Sequence, residues 1–388
     1  MKICYIANGM SIHTQRWVKY FAEKGHEVYL ISPEPPGDSK VENVRLYVLK
    51  NVCPQRWIVS SAINLLSYIM QVRRLIRRIK PDIVHAHYIA PHGFLGALSG
   101  FHPFILTVWG SDVLITPKES GRIKAEVKFA LRRADLITCG AEHVRRELVE
   151  LGIKLEKISL VYWGIDTQKF HPRQRSAKIQ GELGISDSPT VISLSSLEPS
   201  YDIESLIASV PLVLKEIPEA KFVIAGKGSQ EIKLKELARS LGVSASLRFV
   251  GWIPHDQIPE YIACGDVSVS TFLSSGGLSQ GTAEAMACGL PVILTDFGDN
   301  RKWVQDGVNG YIIPLRSPEV LASKIIHLIH NKDTREKFGQ INKQIIEERD
   351  NWQKEMGKME NLYNELIGSG KNENTRKWWC WLHGKSLV

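Results

Sequence analysis

Short runs of apolar and β-branched residues alternate along this chain with longer stretches in which apolar positions recur every three or four residues. The short runs at 2–7, 27–32, 44–49, 83–87, 104–108, 136–139 and 158–162 predict strands. Between them, 14–24, 55–79, 123–133 and 142–151 predict amphipathic helices. The rhythm then restarts. Strands are expected at 190–194, 222–225, 247–250, 267–271, 292–294 and 310–313, and helices at 203–215, 230–241, 257–263 and 282–287. From 317 to 367 the pattern is helical, with Asp350-Asn351-Trp352 as a break. Strand–helix alternation predicts parallel sheets with helices on both faces, and such sheets bind ligands at the carboxyl ends of their strands.

Because the rhythm occurs twice, the expected fold class is α/β with two Rossmann-like domains, which suits 388 residues. The first domain is expected over 1–170 and the second over 171–350, joined by a polar, glycine-bearing linker within 164–188. A helix at 351–368 and a flexible tail at 369–388, rich in Gly, Ser, Lys and Asn at its start, complete the reading.

Charge changes this picture in one respect. Residues 1–170 hold 24 Lys and Arg against 15 Asp and Glu, whereas the remainder holds 25 against 26. The basic excess therefore belongs to the first domain, which suits an anionic lipid surface or an acidic substrate. No zinc-finger, helix-turn-helix or RNA-recognition pattern appears, so nucleic acid is not an expected partner. Arg73, Arg74, Arg77, Arg78 and Lys80 form the basic end of an amphipathic helix whose apolar residues include Ile58, Ala62, Leu65, Leu66, Ile69 and Ile76. That helix predicts peripheral binding to an anionic membrane, with a solvated basic face on a core-packed helix as the competing reading. The six cysteines, Cys4, Cys53, Cys139, Cys264, Cys288 and Cys380, form no CxxC pair, which points to a reduced, cytoplasmic protein.

The stretch 274–291 carries the chemistry. It places a glycine-rich turn and a helix after one strand and before another, an arrangement that gathers free backbone N–H groups for a phosphate. Glu284 sits in that helix among small residues, where its carboxylate can accept hydrogen bonds from ribose hydroxyls. The words Glu284-Ala285-Met286-Ala287-Cys288-Gly289-Leu290-Pro291, Thr295-Asp296 and Asn309-Gly310-Tyr311 resemble the C-terminal signature of glycosyltransferase family 4. Ser11-Ile12-His13-Thr14, Pro81-Asp82-Ile83-Val84-His85-Ala86-His87 and Gly164-Ile165-Asp166 with Phe170-His171-Pro172 resemble the same family in the same order, over nearly the whole chain.

The resemblance implies a GT-B fold with a central cleft faced by two parallel sheets. It implies a retaining, metal-independent transferase that moves a sugar from a nucleotide-sugar donor to a glycan or lipid-linked acceptor. No cofactor is expected, and the place of work is the cytoplasm, at the inner face of the cell membrane where the basic helix binds. Gly9, Lys227, Gly251, Trp252, Ile253, Gly277, Leu278, Ser279 and Glu284 become candidate donor-binding residues. His13, Asp112 and Glu284 become catalytic candidates, and Ser11, His87 and Trp109 are placed on the acceptor side. Competing readings stand beside these: Asp112 as a helix N-cap, Trp252 as a buried core residue, His13 as structural, and His85 with His87 as metal ligands on one strand face.

The chain departs from the family pattern at three places. The segment 193–202 carries no Arg or Lys for a diphosphate, and Gly276 stands where relatives have an acidic residue. Asn300-Arg301-Lys302-Trp303 stands where they often have a Glu. Lys227, Arg301, Lys302 and the N–H groups of 277–280 are the available replacements. The departures leave two other readings open, a degenerate member that binds a glycan or a partner transferase without catalysis, and a sugar-nucleotide epimerase.

Overall fold

The computed structural model describes residues 1–34, 41–51, 58–115, 120–273 and 278–370. The expected tail at 369–388 falls outside these residues beyond 370, as do Gly276 and Gly277. The chain divides into two compact units, Met1–Tyr162 together with the chain from Met356 onward, and Trp163–Glu355.

The first unit holds a sheet of seven parallel strands. They are β1 (Lys2–Ile6), β2 (Glu27–Ser32), β3 (Val44–Val48), β4 (Ile83–His87), β5 (Phe104–Val108), β6 (Leu136–Cys139) and β7 (Ile158–Leu160), in the spatial order β3-β2-β1-β4-β5-β6-β7. The strand order reverses between β1 and β4, the position at which such sheets open a crevice for ligands. Central strands are buried along their whole length, as in Phe104–Val108 and Leu136–Cys139, because helices cover both faces. That is why they read as continuous apolar runs. The edge strand β3 is only half-buried and alternates instead.

The helix Trp352–Gly370 begins in the second unit and, from Met356, packs with the first. Its Tyr363 is fully buried and its hydroxyl lies 2.9 Å from that of Tyr5 on β1 and 2.6 Å from His85 Nδ1 on β4. Glu360 Oε1 lies 2.9 Å from His26 Nε2.

The second unit holds six parallel strands, β8 (Thr190–Leu194), β9 (Lys221–Ala225), β10 (Leu247–Gly251), β11 (Val267–Ser270), β12 (Val292–Thr295) and β13 (Gly310–Ile313). Their order is β10-β9-β8-β11-β12-β13, with the reversal between β8 and β11. Its first and last segments are tied together. Ile165 N donates to Asp350 O, Trp352 N donates to Ile165 O at 2.9 Å, and Gly164 N donates to Asp350 Oδ1 at 2.9 Å. Gly164 has φ +73°, and a Cβ there would stand 2.8 Å from the Trp352 Cα, so only glycine fits. The segment expected as a linker contains a helix, Ala177–Leu183. Ser176 caps it through Ile179 N and Gly184 closes it in the left-handed region, both ordinary helix-end signals.

Four described cysteines, Cys4, Cys139, Cys264 and Cys288, are buried thiols outside any disulfide, and burial pushes Cys4 and Cys288 up to about 12. Among the described residues no helix is long and apolar enough to cross a membrane.

Candidate functional site

In the first unit, loops after β1, β4 and β5 converge on the strand reversal. Gly9 is buried, its N–H donates to Ser32 Oγ at 3.0 Å, and its carbonyl accepts from Gln15 Nε2 at 2.9 Å. Ser11 is the N-cap of the helix Ile12–Glu23, with no capping bond from its side chain. His13, one residue into that helix, meets Trp109 edge to face with ring centres 5.4 Å apart. His87 at the end of β4 lies 6.3 Å from the same indole, and Tyr88 lies 5.8 Å from it. The structure thus brings His13, His87 and Trp109 into one aromatic cluster. His87 is buried, with Nδ1 3.5 Å from Thr14 Oγ1 and no hydrogen-bond partner for Nε2. Burial, with His92 and His13 nearby, pushes its pKa down to about 3, so the ring is neutral.

Two expectations change here. His85 belongs to a buried polar chain, with Nδ1 on the Tyr363 hydroxyl and Nε2 2.6 Å from Thr107 Oγ1, which lies 2.6 Å from Thr138 Oγ1. Both ring nitrogens are engaged, so His85 and His87 do not form a ligand pair. Asp112 is not the N-cap of its short helix, a place held by Gly110, and it is fully buried. Its Oδ1 accepts from Trp109 N at 3.0 Å and Gly110 N at 2.9 Å, and its Oδ2 from Ile89 N at 3.1 Å. The carboxylate fastens the β4 and β5 loops to each other and has no surface left for a sugar. Burial outweighs these three donors and pushes its pKa up to about 6.

In the second unit the loops after β8, β9, β10 and β11 form the corresponding end. The glycine loop after β9 packs backbone against backbone. A Cβ on Gly226 would stand 2.0 Å from Ser195 O, and one on Gly228 would stand 2.3 Å from Leu197 O. Gly281, in the helix Gln280–Ala287, approaches Leu194 O in the same way, at 2.6 Å. Lys227 is exposed and its stem passes over Gly251, 3.5 Å from where a Cβ would be. Trp252 is 66% exposed, which removes the core reading, while the next residue, Ile253, is buried. Ser279 caps the helix by accepting from Thr282 N at 3.2 Å, and Leu278 before it is buried.

Glu284 is only 3% exposed. Its Oε1 accepts from Gln280 Nε2 at 2.9 Å and lies 3.0 Å from His255 Nε2. His255 Nδ1 lies 2.9 Å from Lys169 Nζ, and its ring packs against Phe170 at 5.3 Å. Sequence reasoning missed His255 and Lys169 because they stand 86 residues apart and match no local pattern. Gln280 could have been found, since it lies four residues before Glu284 on one helix face. Of the substitute cations, Arg301 is taken by a two-point bond to Asp296 at 2.7 Å in each contact, and Lys302 is exposed. Glu198, in the segment lacking Arg and Lys, accepts from Ser229 N at 2.8 Å and from its hydroxyl.

Comparison with known proteins covers both units. Residues 2–141 match the family model described as Glycosyl transferase 4-like, and residues 175–345 match Glycosyl transferases group 1. The chain is 23% identical over 362 residues to N-acetyl-alpha-D-glucosaminyl L-malate synthase of Bacillus anthracis, spanning 91% of this chain and 93% of that protein. It is 28% identical over 341 residues to the putative glycosyltransferase EpsD of Bacillus subtilis, spanning 84% and 85% respectively. Among solved structures, Anabaena HepE in complex with UDP superposes with a TM-score of 0.79 at 18% identity, covering 94% of this chain and all of that one. Sucrose-phosphate synthase from Thermosynechococcus elongatus gives the same TM-score and identity over 95% of this chain. The fold is therefore GT-B.

Proposed function

We propose that this chain, which belongs to the group 1, family 4-type glycosyltransferases, moves a sugar from a nucleotide-sugar donor to a glycan or lipid-linked acceptor, with retained anomeric configuration and no metal ion. The observation that carries this reading is Glu284. A buried carboxylate in the middle of the helix after β11, with one oxygen 3.0 Å from His255 of the β10 loop, suits a nucleotide with its ribose on Glu284. HepE, whose structures hold UDP and UDP-glucose, supports a sugar nucleotide as donor.

In this reading Trp252 stacks on the base and the backbone of Gly251 and Ile253 reads its edge. Lys227 takes the diphosphate together with the N–H groups of Gly277, Leu278 and Ser279. Gly9 allows close backbone approach at the loop after β1, and His13 supports the transferred sugar. Ser11, His87 and Trp109 receive the acceptor. Asp112 acts as a positioning residue that holds the Trp109 loop. The leaving phosphate takes the acceptor's proton, so the protein contributes mainly by orientation and by charge stabilisation. The basic helix of the first unit places the enzyme against an anionic, cytoplasmic membrane face.

The test is incubation with UDP-, GDP- and ADP-sugars, reading the released nucleoside diphosphate. Slow hydrolysis of one class of donor, lowered at sub-saturating donor by Glu284→Ala, is expected. No release and no binding from any donor would replace the transferase with a glycan-binding member of the fold.

A further inference from the structure

We propose that His255 is a positioning residue for Glu284, and that Lys169 fixes the tautomer in which it acts. The proposal rests on the reading of Glu284 as the ribose acceptor and adds the machinery that aims it.

A lysine ammonium can only donate, so at 2.9 Å from Lys169 Nζ the Nδ1 of His255 must be the bare, accepting nitrogen. The ring proton of neutral His255 is then on Nε2, which lies 3.0 Å from Glu284 Oε1 and donates to it. Gln280 Nε2 donates to that same oxygen at 2.9 Å. Two donors from different elements therefore fix Oε1, and neither engages Oε2. The carboxylate is held with one oxygen saturated, which leaves the other for a vicinal diol. Phe170, 2% exposed, packs on the imidazole and limits its rotation. Lys169 Nζ also lies 5.7 Å from that phenyl ring. The relay thus runs from the segment that opens the second unit, through the loop after β10, to the helix after β11. No sequence motif joins these three places.

Nitrogen-15 NMR of histidine-labelled protein at pH 7.5 tests the tautomer directly. The expected result is a protonated Nε2 and a bare Nδ1 for His255, with the pattern averaging between tautomers in Lys169→Met. A protonated Nδ1 in the wild type would overturn the proposal, whatever Glu284 binds. Calorimetry with UDP, GDP and their 2′,3′-dideoxy counterparts tests the consequence. His255→Leu should weaken the preferred nucleotide about tenfold, while leaving its dideoxy counterpart unchanged. His255→Gln, whose amide can still donate, should recover most of the loss. Equal losses for both forms of the nucleotide, or no rescue by Gln, would make His255 merely structural. If the wild type does not distinguish the two forms, the ribose reading of Glu284 fails, and the NMR result alone decides the hydrogen-bond relay. Thermal melts of each variant separate these outcomes from misfolding.

Discussion

Single residues explain how a nearly buried carboxylate can serve a ligand. Glu284 is at once a structural acceptor for His255 and Gln280 and the best candidate for the ribose. Glu284→Ala should therefore weaken nucleotide binding about tenfold or more and also lower stability by about 1–3 kcal/mol, since two donors lose their acceptor. Glu284→Gln should melt closer to wild type while still losing affinity. Melts and calorimetry on the two variants check this together. An exposed Glu284 would predict lost affinity with unchanged stability, and the sequence alone favours that outcome because it does not show the burial.

Asp112 gives a pH-dependent counterpart. Its folded pKa is raised to about 6 by burial, above the ordinary carboxylate value. Its stabilising contribution is thus full below about pH 4 and is lost as pH rises through about 6. Asp112→Asn cannot titrate, so the stability gap between wild type and this variant should be widest near pH 4. It should narrow by about 3 kcal/mol by pH 7, as read from denaturant melts across that range. A gap independent of pH would show that Asp112 titrates normally. From sequence, Asp112 offered two local roles, and its real one required knowing that Ile89 and Trp109 come together after different strands.

Elements were legible where burial is simplest. Strands such as β5 and β12 are buried on every residue, so their apolar runs gave their bounds within a residue or two. The short helices Phe94–Ser99, Ser111–Leu114 and Asn300–Trp303 were missed, because four to six residues carry too little periodicity to announce themselves. The glycine loops were legible as glycines but not as backbone contacts. Gly228→Ala would drive a Cβ against Leu197 O and should cost at least about 2 kcal/mol, seen as a lowered melting temperature with nucleotide absent. An unchanged melt would mean the loop yields freely.

The helix Ile58–Ile79 was read with the right ends of its charge but partly the wrong apolar face. Val72 and Ile76 are buried, and Leu65 and Ile69 pack on the core, while Asn64 and Ser67 are buried among them. Ile63, Leu66 and Met70 are the exposed apolar residues, followed by exposed Arg74, Arg77, Arg78 and Lys80. Arg73 is exposed as well and donates to Leu98 O at 2.9 Å. An apolar stripe continuing into a cationic one suits insertion at an anionic leaflet, where each cation contributes about 1 kcal/mol. Sedimentation with anionic vesicles at low salt should fall on adding salt, and fall further in a Leu66→Ser, Met70→Ser variant. Equal sedimentation with neutral vesicles would remove the membrane surface from the account.

At the scale of the whole molecule, two units of one strand order differ in charge and chemistry. The first unit carries the chain's positive excess and an aromatic, histidine-bearing strand end. The second holds the buried Glu284 relay and the glycine loops. The missing Arg and Lys near Ser195 are the chief departure from the family, and the structure puts Glu198 there instead, bonded to Ser229. Lys227 is then the exposed cation beside Gly251 on which diphosphate affinity should depend. The most direct test of the account is calorimetric titration of the wild type and Lys227→Ala with UDP, GDP and ADP and with the matching nucleosides. The account predicts that one diphosphate binds well below millimolar concentration, and that Lys227→Ala weakens it several-fold while sparing its nucleoside. No binding of any nucleotide by the wild type at millimolar concentration would contradict it.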